Sequence, residues 1–526
     1  MRSIFAFAFA PSVVAGKGLR HRPAATDANY ADPTIICNHF KQRFSNITFL
    51  PTDEGYEHES QLSWDTSSWL GPACIFAPRN AEDLSYAVKA LRNSSTLFAM
   101  RGGGHMPIPD AANINSTGVQ LSSTNLNTLS LSEDKQTMSI GPGPRWGDVF
   151  EYLDDTNLTV VGGRMAPVGV PGLLLGGGIS YFSDSRGLAS SEGKIKAYEC
   201  VLADGTIATV SRDSEHSDLY WALQGGGNSF ALVTRFELQT FPLEIALRAE
   251  ATYVDAPTTK DLYLDALLNY VHNSDSEGHG ALTPVARWGP NYTTPSYQST
   301  IFYNGTTPPT DSPISAFYNG TIASKNNSST LRPLSLAAYS RYLMPAFQSG
   351  GPGHGFRNRF HVVPIKATRE AMDIVHDEWF SLIATSKIAN RVPGFFAGLA
   401  FNAVTRTFAA HSQNMPMRIP LEPQFWVEQA VMWQHGSDDA EVMQFLDECN
   451  VKMTERLEAR GLGLPYLYLN DADKVQDVFE GYGEANMRRL EGVRAKYDPE
   501  MVFTDLMPGG FKVRAWVDKK REQGCE

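Results

Sequence analysis

Arg101-Gly102-Gly103-Gly104-His105 sets one imidazole at the mouth of a three-glycine turn, directly after a short apolar run, Leu97-Phe98-Ala99-Met100. Glycine takes positive φ and leaves the backbone uncovered, so successive N–H groups can converge on a diphosphate with no side chain in the way. Two more glycine-rich segments follow, VGVPGLLLGGG at 168–178 and QGGGN at 224–228. Three such loops in one half of the chain imply a large diphosphate-bearing cofactor rather than one tight turn. Other phosphate and hydrolase chemistries lack their residues. No intact G-x-G-x-x-G is present, and GLASSEGKI at 187–195 has one spacer too many for a P-loop and Ile195 where a magnesium-binding hydroxyl belongs. There is no G-x-S-x-G elbow, no H-E-x-x-H and no C-x-x-C, so neither a serine hydrolase nor a metal site is supported.

These loops must be carried by regular elements. Asn80 opens a helix, with Asp83 three residues on and Leu84, Ala87, Val88 and Leu91 at helical spacing, and this helix leads into the strand before His105. Residues 117–160 read as short strands and turns around GPGPRWG (141–147). KAYECVLADGTIATVS (196–211) alternates about Asp204-Gly205, a strong hairpin signal. A helix over about 214–223 ends in the third glycine loop, and 233–243 closes the region as a strand. From about residue 245 the texture changes: helical segments at 260–272 and 367–386 alternate with strand-like runs such as FWVEQAVMW (425–433). The Ser/Thr/Asn/Pro-rich stretch 289–335 reads as a surface excursion outside any core. A helix over 439–460 stops at Gly461, PYLYLN (465–470) reads as a strand, and 483–499 reads as a last helix ended by proline.

At 526 residues, two domains of roughly 250 residues each are expected. A net charge of −12 and a pI near 5.5, with no basic stripe, argue against a nucleic-acid partner. Residues 1–16, MRSIFAFAFAPSVVAG, have the layout of a secretory leader with cleavage near Ala15-Gly16, and are too short for a membrane span. Nine Asn-X-Ser/Thr windows, starting at Asn46, Asn93, Asn115, Asn157, Asn291, Asn304, Asn319, Asn326 and Asn327, point the same way, toward a secreted or vesicular N-glycoprotein. Of five cysteines, Cys37 and Cys74 are expected to pair, closing a loop worth about 4 kcal/mol on the chain-entropy model. Cys449 reads as a buried thiol on an apolar helix face with Val442, Phe445 and Leu446; Cys200 falls in a strand and Cys525 near the end.

Taken in order, FAPRNAEDLSYAV (76–88), RGGGH, GVPGLLLGGG, VLADG, DLYWALQGGGN, YLND and KYDPEMVF resemble the FAD-linked oxidoreductases of the vanillyl-alcohol-oxidase type, specifically the berberine-bridge-enzyme-like branch. The resemblance implies an α+β protein: a two-part FAD-binding domain of the PCMH type, 30–245, an inserted substrate domain of antiparallel sheet plus helices, 246–464, and a segment, 465–526, returning to the FAD domain. It implies that His105 bonds covalently to a methyl group of the flavin and that Arg101, Gly102, Gly103 and Gly104 cradle the diphosphate. Gly169, Val170, Gly172, Gly176 and Gly177 would contact FAD, Ile195 would lie near the adenine, and Met165 and Asn470 would face the same cofactor. Bicovalent relatives carry cysteine where this chain has Met165, whose thioether cannot form that bond. A single link through His105 is therefore expected, which lowers the rank of a carbohydrate oxidase.

Flavin oxidation takes a hydride from carbon and usually needs a base for a neighbouring O–H or N–H. Relatives often place a tyrosine where this chain has Asp471. A carboxylate in an apolar pocket has its pKa raised toward neutrality, so Asp471 is a candidate base, with capping of the following turn as the alternative. Glu428 is a second candidate, because it alternates onto one strand face with Trp426, Ala430 and Met432. Tyr468 and Tyr466 are candidates to line the same pocket. The expected activity is oxidation of a small, largely apolar secondary metabolite, with dioxygen as acceptor. The rivals are a non-redox cyclase using FAD as scaffold and a catalytically silent binding protein.

Overall fold

The structure, a computed structural model, describes residues 30–514 apart from 244, 275–277, 291 and 349. The leader, Asn291 and Cys525 lie outside the described residues. Three sheets organise the chain. The first has the order Thr48–Phe49, Cys74–Phe76, Val119–Ser122, Phe98–Arg101, with the last three strands parallel. The helix Ala81–Asn93 makes the crossover between two of them. Asn80 caps it by accepting from the Asp83 N–H at 2.8 Å, and Leu84, Ala87, Val88 and Leu91 are fully buried. RGGGH thus begins at the carboxyl end of a parallel strand, where open sheets place their ligands.

The second sheet is antiparallel, in the order Leu129–Leu131, Thr137–Ile140, Leu232–Pro242, Ile195–Val201, Ile207–Ser211, with Leu158–Val160 also pairing with Leu232–Pro242. The Asp204-Gly205 turn forms as expected, with Gly205 at φ +81°. Within the stretch read as strands and turns, Trp146–Leu153 is instead a helix, because Trp146, Val149, Phe150 and Leu153 form one apolar stripe that buries in the core.

The third sheet has seven antiparallel strands, in the order Arg332–Pro333, Ala246–Thr252, Ser296–Asn304, Gly280–Trp288, Phe396–Val404, Gln424–Trp433, Arg357–Lys366. Helices Thr259–Asn273, Arg369–Ser386 and Asp439–Glu458 share one core with it, Cys449 included. Part of 289–335 therefore departs from the surface reading: Ser296–Asn304 is an interior strand with Ile301 and Phe302 fully buried, and Ile314, Phe317 and Ile322 join cores nearby. Asn46, Asn93, Asn115, Asn157, Asn319, Asn326 and Asn327 are exposed, whereas Asn304 is half-buried at the end of that strand.

PYLYLN is not a strand. Its alternation buries Tyr466 and Tyr468, but the backbone runs without ladder partners into a single turn, Leu469–Asp471. Beyond it the chain packs on the second sheet: Phe479, Tyr482, Leu490 and Val493 share a core with Tyr198, Leu223 and Phe230. The same segment covers the outer margin of the seven-stranded sheet. Along Arg357–Lys366, Lys366 donates to Leu462 O (2.9 Å), Pro364 O accepts from Leu464 N (3.1 Å), and both backbone groups of Val362 bond the Gln476 amide. The opposite margin is two residues long and ends in Pro333. Cys37 and Cys74 are bonded, and Cys200 and Cys449 are buried free thiols. No helix among the described residues is long and apolar enough to cross a membrane.

Candidate active site

Two glycine loops meet main chain to main chain. A Cβ on Gly103 would lie 2.3 Å from Gly169 Cα, and one on Gly102 would lie 2.4 Å from the Pro171 ring, so these loops dock only without side chains. A Cβ on Gly176 would stand 2.1 Å from Asn470 Oδ1, which lets Asn470 sit close and donate to Leu173 O (3.1 Å) and Tyr468 Oη (3.0 Å). Around this junction lies a cavity of about 330 Å³. Gly102, Gly103, Gly104, His105, Met165, Gly169, Gly172, Gly176, Tyr468, Asn470, Asp471 and Glu428 all reach it.

Four expected cofactor residues do not line it. The Arg101 guanidinium turns the other way, donating to Glu59 O (2.6 Å), Glu59 Oε2 (3.0 Å) and Ser122 Oγ (2.8 Å) in a buried ion pair. Its charge is spent on Glu59, so its side chain anchors the end of the strand that carries the glycine loop. Val170 starts a short helix and is fully buried, while Gly177 lies behind Gly176 near Leu188 and Met417. Ile195 is fully buried at the start of its strand, where its carbonyl accepts from Tyr220 Oη (2.6 Å).

His105 stacks on Trp64, with ring centroids 4.4 Å apart at 15°, and Phe347 stands 6.2 Å away. Trp64 is fixed by its indole N–H to Gly353 O (2.9 Å) and its backbone N–H to Gly104 O (2.9 Å). Burial, reinforced by the Arg145 guanidinium, lowers the imidazole pKa to about 3, so the ring is neutral. Its Nε2 is enclosed and has no hydrogen-bond partner. A neutral imidazole with an idle ring nitrogen suits bond formation to a cofactor better than it suits a structural role.

The two carboxylates come from different parts of the chain. Glu428 is on Gln424–Trp433, paired with Val362 on one side and Ala400 on the other. Asp471 ends the turn after Tyr468 and accepts from Asn402 Nδ2 at 3.3 Å. Arg164 also lines the cavity and donates to Asn402 Oδ1 at 2.8 Å. Burial pushes the Glu428 carboxyl up to about 7 against the pull of Arg164. Asp471 is held well above the usual carboxylate range, first by burial and then by Glu428. Two like charges in one dry site cannot both ionise easily, so the pair holds a proton at neutral pH and can give or take it. Tyr468 is a weaker candidate base: burial raises its phenol, and its oxygen accepts from Ile179 N (3.0 Å) while the ring stacks on Trp426.

Sequence reasoning missed Arg164, Asn402 and Trp64. Arg164 had a signal, a lone cation among small and apolar residues in VGGRMAP beside Met165. Asn402 had a weaker one as a polar break in FAGLAFNAV, and Trp64 had none.

The FAD binding domain family matches residues 72–211. FAD-dependent monooxygenase prx3 of Penicillium roqueforti is 31% identical over 499 residues, covering 91% of this chain and 93% of that protein. Among solved structures, Physcomitrella patens BBE-like 1 aligns with a TM-score of 0.73 at 15% identity, over 91% of this chain and 99% of its own. The glucooligosaccharide oxidase of Acremonium strictum, described with a 6-S-cysteinyl, 8α-N1-histidyl FAD, aligns with a TM-score of 0.69 at 22% identity, over 91% of this chain and 100% of its own. At these identities the structural matches establish a shared fold.

Proposed function

Because the chain belongs to the FAD-linked oxidoreductases of the berberine-bridge-enzyme-like type, we propose that it oxidises a small, largely apolar secondary metabolite while holding FAD through a single bond at His105. The observation that carries the reading is one cavity bounded both by an imidazole with an idle nitrogen and by two buried carboxyl groups, Glu428 and Asp471. The lining fits FAD: backbone at Gly102, Gly103 and Gly169 is bare, and a Cβ on Gly172 would meet nothing within 4 Å, so main chain faces the cavity there. When bound, FAD supplies the hydride acceptor, with dioxygen as the final oxidant. Glu428 and Asp471 take the proton released from the substrate O–H or N–H as hydride leaves the adjoining carbon. Arg164 balances the single negative charge that the pair carries before it takes that proton. Phe360, Leu173 and Ile179 give the apolar wall that excludes water and favours an apolar substrate over a sugar. Met165 stands at the cavity where a second, cysteinyl link would need a thiol.

Residues 30–245 and 465–526 form the cofactor-binding part in this reading, supported by a core that joins their described residues and into which Phe302, Phe408 and Trp426 also pack, and 246–464 form the substrate part, with a second core of its own. The disulfide and the exposed sequons support export as an N-glycoprotein. Anaerobic mixing of a candidate substrate with the purified protein tests the redox step: the oxidised flavin band bleaches once, as one equivalent of substrate per flavin is oxidised, whereas repeated turnover without bleaching leaves a cyclase on a flavin scaffold. Product mass after turnover in air separates loss of two hydrogens from gain of one oxygen, the outcome that the name of the Penicillium relative implies for that protein.

A further inference from the structure

Resting on the proton-accepting role just given to Glu428 and Asp471, we propose that Arg359, Asp473 and Gln476, none of which lines the cavity, are positioning residues that fix the spacing of the two carboxylates and so decide how they share a proton. Glu428 is tied by strand register to Val362 on the edge strand Arg357–Lys366. The outward backbone groups of Val362 are both taken by one side chain: its N–H donates to Gln476 Oε1 (3.0 Å) and its carbonyl accepts from Gln476 Nε2 (2.8 Å). Gln476 Oε1 also accepts from the Asp473 N–H at 2.9 Å. Three residues before Val362, Arg359 grips Asp473 with a two-pronged bond, Nε to Oδ2 at 2.7 Å and Nη2 to Oδ1 at 2.5 Å. Asp471 lies two residues upstream of Asp473, across a fully buried Ala472. One strand therefore sets the place of both carboxylates.

The chemistry of the clamp suits alignment better than stability. The Arg359 and Asp473 side chains are 8% and 7% exposed, and a buried ion pair adds little net stability over apolar side chains of the same size. What a guanidinium fork adds is a fixed distance and orientation. The interaction of two charges in a dry site depends steeply on separation, so a small displacement of Asp471 changes the sharing. Arg164 faces the pair from the loop before Met165 and Tyr468 from the same segment as Asp471, Tyr466 lies outside the cavity within electrostatic reach of Asp471, and His361 interacts with Arg359 and Asp473 of the clamp.

The test uses flavin-loaded protein and follows its visible band against pH, with no substrate required. Wild type is expected to show one step near neutrality that Glu428→Gln abolishes. In Gln476→Met, and separately in Arg359→Met/Asp473→Leu, the step moves to at least tenfold higher proton concentration, because the carboxylates separate and admit water, while the Gln476→Met protein, which loses its bonds to Val362 and Asp473, still folds and keeps its flavin. Steps unmoved in both variants overturn the positioning role. Should the double variant fail to fold, Gln476→Met alone decides. A wild-type step that survives Glu428→Gln overturns the reading of the pair itself, a result distinct from failure of the clamp.

Discussion

Glu428→Gln should stabilise the protein at alkaline pH while disabling it. Glutamate ordinarily titrates near 4.5, and burial raises this side chain to about 7 in the folded state. Between those values the folded protein holds a proton that the unfolded chain has released, so stability falls as pH rises through that window and levels off above it. Integrating from pH 5 to pH 8 gives a loss of about 2–3 kcal/mol in wild type from this one group. Glutamine keeps the shape, has no charge to bury, and escapes the loss. Thermal or urea denaturation of both proteins at the two pH values measures the difference, from which distant groups common to both cancel, while relief of Asp471 from its charged neighbour adds to the gain of the variant. The variant should gain on wild type by at least that amount at the higher pH, with kcat/KM down by about 10²- to 10⁴-fold for loss of a proton acceptor. Parallel stability curves for the two proteins would refute the claim that this carboxyl is forced to keep its proton, and an active variant would remove it from the chemistry.

Three further outcomes follow from the geometry. His105→Ala should fold but release all its flavin on denaturation, and its intact mass should equal polypeptide plus sugars, read by mass spectrometry. Gly103→Ala drives a methyl group into the main chain of Gly169, so melting should fall by about 1–3 kcal/mol with a lower flavin content per protein in the absorption spectrum. Arg101→Met leaves Glu59 without its cation in a buried place, and denaturation should show a loss of about 3–5 kcal/mol, an effect on fold more than on flavin chemistry.

What was legible in the chain was local. Asn80 and Asp83 announced a helix, Asp204-Gly205 a hairpin and three glycine loops a cradle, because each signal lies within a few residues of what it specifies. Long-range partnerships were invisible. Arg101 sits in the expected loop, yet Glu59, which claims its charge, is 42 positions upstream. Arg164 and Asn402 meet across 238 positions, and nothing near either one names the other. Ser296–Asn304 was hidden by its neighbours' polar composition, although Tyr297, Ser299 and Ile301 alternate toward the buried face. PYLYLN misled in the opposite direction: alternation sends Tyr466 and Tyr468 inward, but the backbone leaves the edge strand after Leu464 and turns at Leu469–Asp471, and Gln476 takes the backbone groups of Val362 that a ladder would use.

The lapped margin of the seven-stranded sheet also governs how the molecule fails. Removing the chain beyond residue 461 would take Asp471 away and, at the same stroke, strip the outward backbone groups of Val362, Pro364 and Lys366 of their partners along a ten-residue edge strand. Naked edges of that kind recruit strands from other molecules. Such a truncated protein would be lost to precipitation before its lack of turnover could be noticed, so the tail serves as a guard on solubility as much as a wall of the reaction chamber.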